Sequence, residues 1–461
     1  MNKHRVFLSG IAGTGMSSLA GLFKDSGCIV SGSDSNFYPP IDKILENMKV
    51  SLFQGYDKAN ISSDIDFCII GNIISRGNPE AEHILNGKID YYSMADALHK
   101  FFIKKSKSIV VAGTHGKTTI SSFISFLLGK SGINSGYFIG GKPVNLSANY
   151  NIGDGKYFVS EGDEYETSFF DRSSKFLKYF PDYLILTALE YDHLDFFKTR
   201  EQYVSAFKNL INQVPSNGFI IYNSDYVMNR DVVLHAFTKT ISYGYKDADY
   251  IIRNISFDNH YYSFEVKNKT DVYQFKTGLL GKYNIWNLTS GIILSLNLGI
   301  SMNIIREAVL EFKGVERRLN KINLIKNTVF LEDFAHHHTA IKNVIISIRE
   351  IYPHKKLVVL FEPGSFSIKL EKYQDELIDS LTEADEIIIK NPFSNIAKKY
   401  NSINLDKIKF ALKKKNKIVS IYDSFEDIKK WINDRNFDTE QAIVLLSNKS
   451  FGGIPNHIKN L

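Results

Sequence analysis

The sequence predicts an α/β protein of three domains built on parallel sheets. Three observations carry that prediction. Short apolar runs alternate with helical periodicities along the chain, the signature of βαβ units. Glycine turns join a strand-like run to a helix at two places. The length, 461 residues, exceeds what one hydrophobic core supports and fits two or three domains.

Taken in order, the first strands fall at residues 6–8, 28–30 and 67–70, within a first domain of residues 1–103. Residues 104–108, Lys-Lys-Ser-Lys-Ser, are short, polar and basic and read as a linker. A strand at 109–112 and an apolar helix at 120–128 open a second domain, residues 104–315, with further strands at 157–159, 183–186 and 219–222. From 248 to 275 the pattern turns to strict alternation, with turn residues at Asp258-Asn259 and Asn268-Lys269. That stretch reads as an antiparallel insertion on a parallel sheet. The third domain, 316–461, carries strands at 357–360, 386–389 and 442–446.

Composition excludes several classes. Hydrophobic residues make up 44% and charged residues 23%, an ordinary globular balance. The net charge of +6 comes from scattered Lys and Arg, with no basic arm interleaved with aromatics, so nothing in it supports a nucleic-acid partner and attraction for anionic small molecules explains it as well. No apolar run reaches the ~20 residues that cross a bilayer, and the apolar stretch near the N-terminus is too short for a signal peptide. Cys28 and Cys68, each in an apolar run, suit buried thiols in a reducing compartment. The expectation is a cytoplasmic protein, monomeric or weakly dimeric, without a nucleic-acid or membrane partner.

The strongest motif is Gly113-Thr114-His115-Gly116-Lys117-Thr118-Thr119, between strand and helix. Backbone N–H groups of such a loop, at the positive end of a helix, form a nest for phosphate oxygens. Lys117 would reach the terminal phosphates, and the Thr118 hydroxyl would sit on magnesium. The loop is shorter than the common phosphate loop, because Val111 stands where its first glycine would be. A second turn, Gly10-Ile11-Ala12-Gly13-Thr14-Gly15 with Met16, lacks dinucleotide spacing but lets the backbone approach a diphosphate. Asp34, past the second strand, is placed for a ribose or sugar hydroxyl.

Two acidic stations follow. Glu161 ends one strand inside Glu161-Gly162-Asp163-Glu164-Tyr165, and His193 lies in Glu190-Tyr191-Asp192-His193 after another. Parallel strands deliver such residues to one sheet edge. Magnesium takes oxygen ligands, so Glu161 is its first candidate, with His193 beside a second ion. Asp333-Phe334-Ala335-His336-His337-His338 invites a zinc reading, but adjacent side chains diverge and rarely share one metal. Asp333 reads as a hydrogen-bond acceptor at the site's edge. In the pair Arg317-Arg318, a guanidinium is placed to stabilise phosphate charge as domains close.

This ordered set, together with Gly281-Lys282-Tyr283-Asn284-Ile285-Trp286-Asn287, resembles the Mur ligase family over essentially the whole chain. The resemblance implies Rossmann-like N- and C-terminal domains around a central phosphate-loop ATPase domain. It implies ATP and Mg2+ as cofactors, with UDP-N-acetylmuramate and a murein peptide as substrates. By that resemblance Lys117, His193 and Arg318 are catalytic. Residues 113–119, Asn284, Arg318 and Asp333 hold the nucleotide, and Thr118, Glu161 and His193 the metal. Gly10, Ala12, Gly13, Thr14, Gly15, Met16, Asp34 and His336 contact the sugar-acid substrate.

Within the family, Tyr38-Pro39-Pro40, the stretch 71–79, the stretch 163–171 and Phe361-Glu362-Pro363 resemble the members that add the tripeptide L-Ala-γ-D-Glu-meso-diaminopimelate. The alternative members add L-alanine. Three positions depart from the tripeptide pattern: Gly364 stands for an arginine, His338 for a proline and Tyr283 for a histidine. The resemblance implies that ATP activates the sugar-acid carboxylate as an acyl phosphate, which the amine then attacks. Two rivals remain. A dehydrogenase on the first glycine turn leaves Lys117-Thr118 unexplained, and a silent UDP-sugar-binding relative would release no ADP.

Overall fold

A computed structural model describes residues 4–37, 41–194, 196–394 and 401–461. Tyr38-Pro39-Pro40 lies outside the described residues. Among these, the first sheet is wholly parallel and comprises β1 (Arg5–Ser9), β2 (Ile29–Asp34), β3 (Ser51–Gln54), β4 (Phe67–Ile70) and β5 (Tyr91–Ser93), ordered β3-β2-β1-β4-β5. The chain order reverses between β1 and β4, and the Gly10 turn leaves β1 at that switch point. Such a crevice is where open α/β sheets bind ligands.

The second sheet holds β6 (Lys107–Ala112), β7 (Gly136–Phe138), β8 (Tyr150–Asn151) and β9 (Tyr157–Gly162), then β12 (Tyr183–Leu186), β13 (Phe219–Asn223) and β14 (Lys239–Gly244). A small hairpin, β10 (Glu166–Ser168) and β11 (Asp171–Ser174), stands apart. The alternating stretch forms β15 (Tyr250–Asp258), β16 (Tyr261–Lys267) and β17 (Val272–Thr277), an antiparallel extension in which β15 runs parallel to β14. The expected linker is shorter than its composition suggested. Lys104–Ser106 turn, but Lys107 and Ser108 already belong to β6. Their polar groups find strand-edge partners: Lys107 Nζ lies 2.7 Å from Asp182, and Ser108 Oγ donates to the Tyr179 carbonyl.

The third sheet contains β18 (Asn320–Ile325), β19 (Thr328–Asp333), β20 (Lys356–Phe361), β21 (Glu386–Lys390), β22 (Ile418–Tyr422) and β23 (Gln441–Leu446), ordered β18-β19-β23-β20-β21-β22 with only β18 antiparallel. Its four inner strands, β19, β23, β20 and β21, are buried on both faces and read as apolar runs for that reason. One hydrophobic cluster runs from the first sheet into the second, so these two layers share a core. The Asn149 amide adds a hydrogen bond to Ser18 on the helix that follows the Gly10 turn.

Candidate active site

The loop after β6 lies between the end of that strand and the helix Lys117–Lys130. Gly113 and Gly116 adopt φ of 133° and 83°, conformations that side chains disfavour. A Cβ at Gly113 would strike the Thr187 hydroxyl, and one at Gly116 the Asn287 side chain. Thr114 N–H donates to the Ala188 carbonyl, pinning the loop to the end of β12. The first N–H groups of the helix have no partner within it, and they open into a cavity of about 490 Å3.

Lys117 and His193 line that cavity and meet on Glu164, buried behind its wall. Lys117 Nζ donates to the Gly113 carbonyl at 2.6 Å and to Glu164 at 2.7 Å. Burial alone would push Lys117 down, but Glu164, Glu161 and Asp163 outweigh it and hold the ammonium above its ordinary value. Glu164 is fully buried and also meets His193 Nε2 at 2.9 Å. Glu164 belongs to the acidic run Glu161-Gly162-Asp163-Glu164-Tyr165. Its signal was position: third residue past Glu161, inside a family-like motif.

Thr118 Oγ1 donates to Glu161 Oε1 at 2.8 Å, and Gly140 N–H holds Oε2 of the same carboxylate at 2.8 Å. This hydroxyl–carboxylate pair offers the oxygen donors that magnesium takes. His193, expected as a metal neighbour, lines the same cavity but turns its ring to Glu164 rather than Glu161. Its φ of 56° is uncommon for a residue with a side chain.

The opposite wall comes from the third sheet. Arg318 enters the cavity with its guanidinium 4.9 Å from the Phe334 ring centre. The neighbouring Arg317 points away, to Glu332 at 2.7 Å and to the Ser447 carbonyl at 2.8 Å. The arginine pair therefore divides into one brace and one cavity residue. Asp333 accepts from Leu319 and Ala335 N–H, both at 2.7 Å. Burial pushes its carboxyl up to about 6 despite the nearby Arg318 charge. His336 donates Nδ1–H to the Phe334 carbonyl, and burial pushes it down to about 4, so the ring is neutral.

Two residues expected at the site have partners within the protein. Asn284 is buried beneath the cavity, bonded to the Leu280 carbonyl and to Asn287, and it is Asn287 and Tyr283 that reach the wall. Asp34 lies below the Gly10 turn. Its carboxylate accepts from Ala12 N–H at 2.9 Å and Tyr56 Oη at 3.1 Å, bracing the Gly10 turn. Gly10 and Ile11 N–H both donate to the Ser33 carbonyl, while Gly13 and Thr14 are exposed at the start of the helix Thr14–Asp25. The first-sheet residues lie outside the cavity wall.

Comparison with known proteins decides the family. Residues 7–105 match the model for the Mur ligase family, catalytic domain, and residues 111–295 the Mur ligase middle domain. A relative from Escherichia coli (strain K12), UDP-N-acetylmuramate–L-alanyl-γ-D-glutamyl-meso-2,6-diaminoheptandioate ligase, is 33% identical over 84% of this chain and 85% of its own.

The chain belongs to the Mur ligase family.

The UDP-N-acetylmuramate–L-alanine ligase of Caldicellulosiruptor bescii is 30% identical to this Mur ligase over 93% of the chain and 92% of the relative. The crystal structure of a murein peptide ligase from Psychrobacter arcticus 273-4 superposes with a TM-score of 0.75 at 29% identity, covering 99% of both chains. Mur ligases are ATP-dependent enzymes that form amide bonds, and this chain is such a ligase. No helix among the described residues is long and apolar enough to cross a membrane.

Proposed function

We propose that this Mur ligase joins L-Ala-γ-D-Glu-meso-diaminopimelate to UDP-N-acetylmuramate, using ATP and Mg2+, in cytoplasmic murein recycling. One observation carries the reading. Lys117, Thr118 and Glu161 from the second sheet and Arg318, Asp333 and His336 from the third line one cavity. The name of the Escherichia coli relative supports the peptide, as does the murein peptide ligase structure.

The residues fit the cofactors. Helix N–H groups and a buried ammonium suit a triphosphate, and the Thr118–Glu161 oxygen pair suits magnesium. When bound, ATP supplies the phosphoryl group that activates the sugar-acid carboxylate as an acyl phosphate. Phosphoryl transfer asks mainly for positioning and charge neutralisation. Lys117 meets that demand from the loop and Arg318 from across the cavity. Thr118 and Glu161 would hold the metal, with His193 kept in place by Glu164. Neutral His336, with its proton on Nδ1, presents Nε2 as an acceptor for the sugar-acid side. The exposed Gly13–Thr14 backbone of the first sheet is the cradle for the UDP diphosphate.

One feature favours a second reading, with L-alanine as the amine. A Cβ at Gly364 would meet Asn448 Oδ1 at 1.9 Å, so Asn448 occupies the place of the arginine expected in tripeptide-adding members. An assay of ADP release with UDP-N-acetylmuramate separates the readings. The tripeptide is expected to drive release well above L-alanine. Equal or faster release with L-alanine would overturn the tripeptide assignment, and no release with either would leave only binding.

A further inference from the structure

Of the three consecutive histidines, the middle one meets the phosphate loop ring to ring. His336 bonds to the Phe334 carbonyl, and His338 lies on Tyr373 with ring centres 5.6 Å apart. His337 crosses to the second sheet, its ring centre 5.1 Å from that of His115 in the phosphate loop. Glu190, just after β12, stands between them: Oε2 lies 3.0 Å from His115 Nε2 and 3.5 Å from His337 Nδ1. All three donor atoms lie within 4.8 Å of one another.

We infer that His115, Glu190 and His337 form a site for a transition-metal ion of the zinc class, clasping the phosphate loop to the third sheet. The geometry is near what such an ion needs. A tetrahedral site with arms of about 2.1 Å has edges of roughly 3.4 Å, so two of the three edges are already in place. The donor set is also selective. Two imidazoles and one carboxylate suit zinc, cobalt or iron, whereas magnesium takes the all-oxygen pair of Thr118 and Glu161.

A second observation points the same way. His337 is only 5% exposed, and its Nδ1 has no hydrogen-bond partner. Buried polar atoms are nearly always paired, and a metal ion supplies the missing partner. The Thr339 hydroxyl bonds to the Glu190 carboxylate and orients it, as outer-shell groups of metal sites do.

The ion would tie His115 to the third sheet and so hold the nucleotide cavity shut. The site goes beyond the proposed ligase reaction, and its test does not depend on turnover. Full-length protein, stripped with a chelator and held in saturating magnesium, is titrated with Co2+. One equivalent is expected to produce the visible bands of a four- or five-coordinate nitrogen–oxygen site, and Zn2+ should displace it. His337→Ala and Glu190→Gln, each checked for fold by circular dichroism, should weaken Co2+ binding at least ~10-fold. Glu161→Gln should leave it unchanged, separating the site from the magnesium pair. Absence of the bands in the wild type overturns the inference outright. So does undiminished binding in either folded variant, and one variant suffices where the other does not fold.

Discussion

At the scale of single residues, the chemistry turns on a buried trio. Lys117, Glu164 and His193 share one carboxylate, at 2.7 and 2.9 Å. Lys117→Ala is expected to lower kcat by about 10²–10³-fold, the loss typical of removing one charge-stabilising donor. UDP-N-acetylmuramate binding measured by calorimetry should hold, because Lys117 lies in a different sheet from the Gly10 turn. Lys117→Arg should not restore turnover, since a planar fork cannot replace a point charge against Glu164. A clean Lys117→Ala preparation with full activity would remove the loop from the mechanism. Asp333 gives a second test. Folding raises its carboxyl from an ordinary 3.8 to about 6, so the folded state favours the protonated form. Its contribution favours folding below pH 3.8 and is lost as pH rises through 6, a difference of about 3 kcal/mol. Urea unfolding of Asp333→Asn against wild type should show the wild type losing ground to the variant between pH 4 and 6. Parallel curves would mean that Asp333 does not titrate in that window. Lys117, Thr118 and Glu161 were legible because loop spacing constrains phosphate chemistry. Glu164 and Asn448 were not, because only folding shows which carboxylate Lys117 meets and which side chain fills the space beside Gly364.

At the scale of elements, the strand ends are clamped from below. Glu80, in the helix Pro79–Gly87, has no exposed surface and accepts from Ser9 Oγ at 2.5 Å and Ser33 Oγ at 2.6 Å, with Asn60 Nδ2 at 2.8 Å. Ser9 closes β1 and Ser33 lies next to the end of β2, so one carboxylate fixes both strands beneath the Gly10 turn. Glu80→Ala should destabilise the protein by about 3 kcal/mol, the cost of stranding several charge-assisted hydrogen bonds. Glu80→Gln should cost less, because its amide keeps one acceptor. Thermal unfolding reads the stability, and the affinity for UDP-N-acetylmuramate should fall in parallel as the turn loosens. Unchanged melting in Glu80→Ala would sink this account. The long apolar strands were legible from hydropathy alone. The short ones were not: β3, Ser51–Gln54, and β22, Ile418–Tyr422, are edge strands with few buried residues. In β18, Asn320–Ile325, polar and apolar residues mix along an edge, and the burial that would betray a strand is partial. Alternation did reveal the antiparallel extension of the second sheet, since its strands keep one face in water.

At the scale of the whole molecule, the division of labour among sheets sets a physical demand. The exposed Gly13–Thr14 backbone belongs to the first sheet, the phosphate loop to the second, and Arg318 with His336 to the third. Reaction requires the sugar acid and the nucleotide to meet within bonding distance, yet no first-sheet residue lines the cavity among the described residues. One chain segment spans the gap. The stretch from β7, Gly136–Phe138, runs on to Gly140, whose N–H holds Glu161, while Asn149 just beyond it bonds Ser18. The shared core makes the first and second sheets one body, so the moving part is the third. With the His115–Glu190–His337 site empty, its hold on the rest near the cavity mixes the packing of Leu280 and Tyr283 with polar pairs such as the Tyr373 hydroxyl and the Tyr191 carbonyl. Mixed contacts of that kind between domains allow rigid-body rotation. Solution scattering should therefore show a smaller radius of gyration when a non-hydrolysable ATP analogue and UDP-N-acetylmuramate are both present than with either alone. The response should be weaker in Arg318→Ala, which lacks the cation that draws the third sheet toward the phosphates, while Arg317→Ala should instead lower the melting temperature by loosening the Glu332 brace. Identical profiles in all ligand states would show that the sheets are already in their reactive arrangement, and that catalysis here is positioning within a preformed cleft rather than closure.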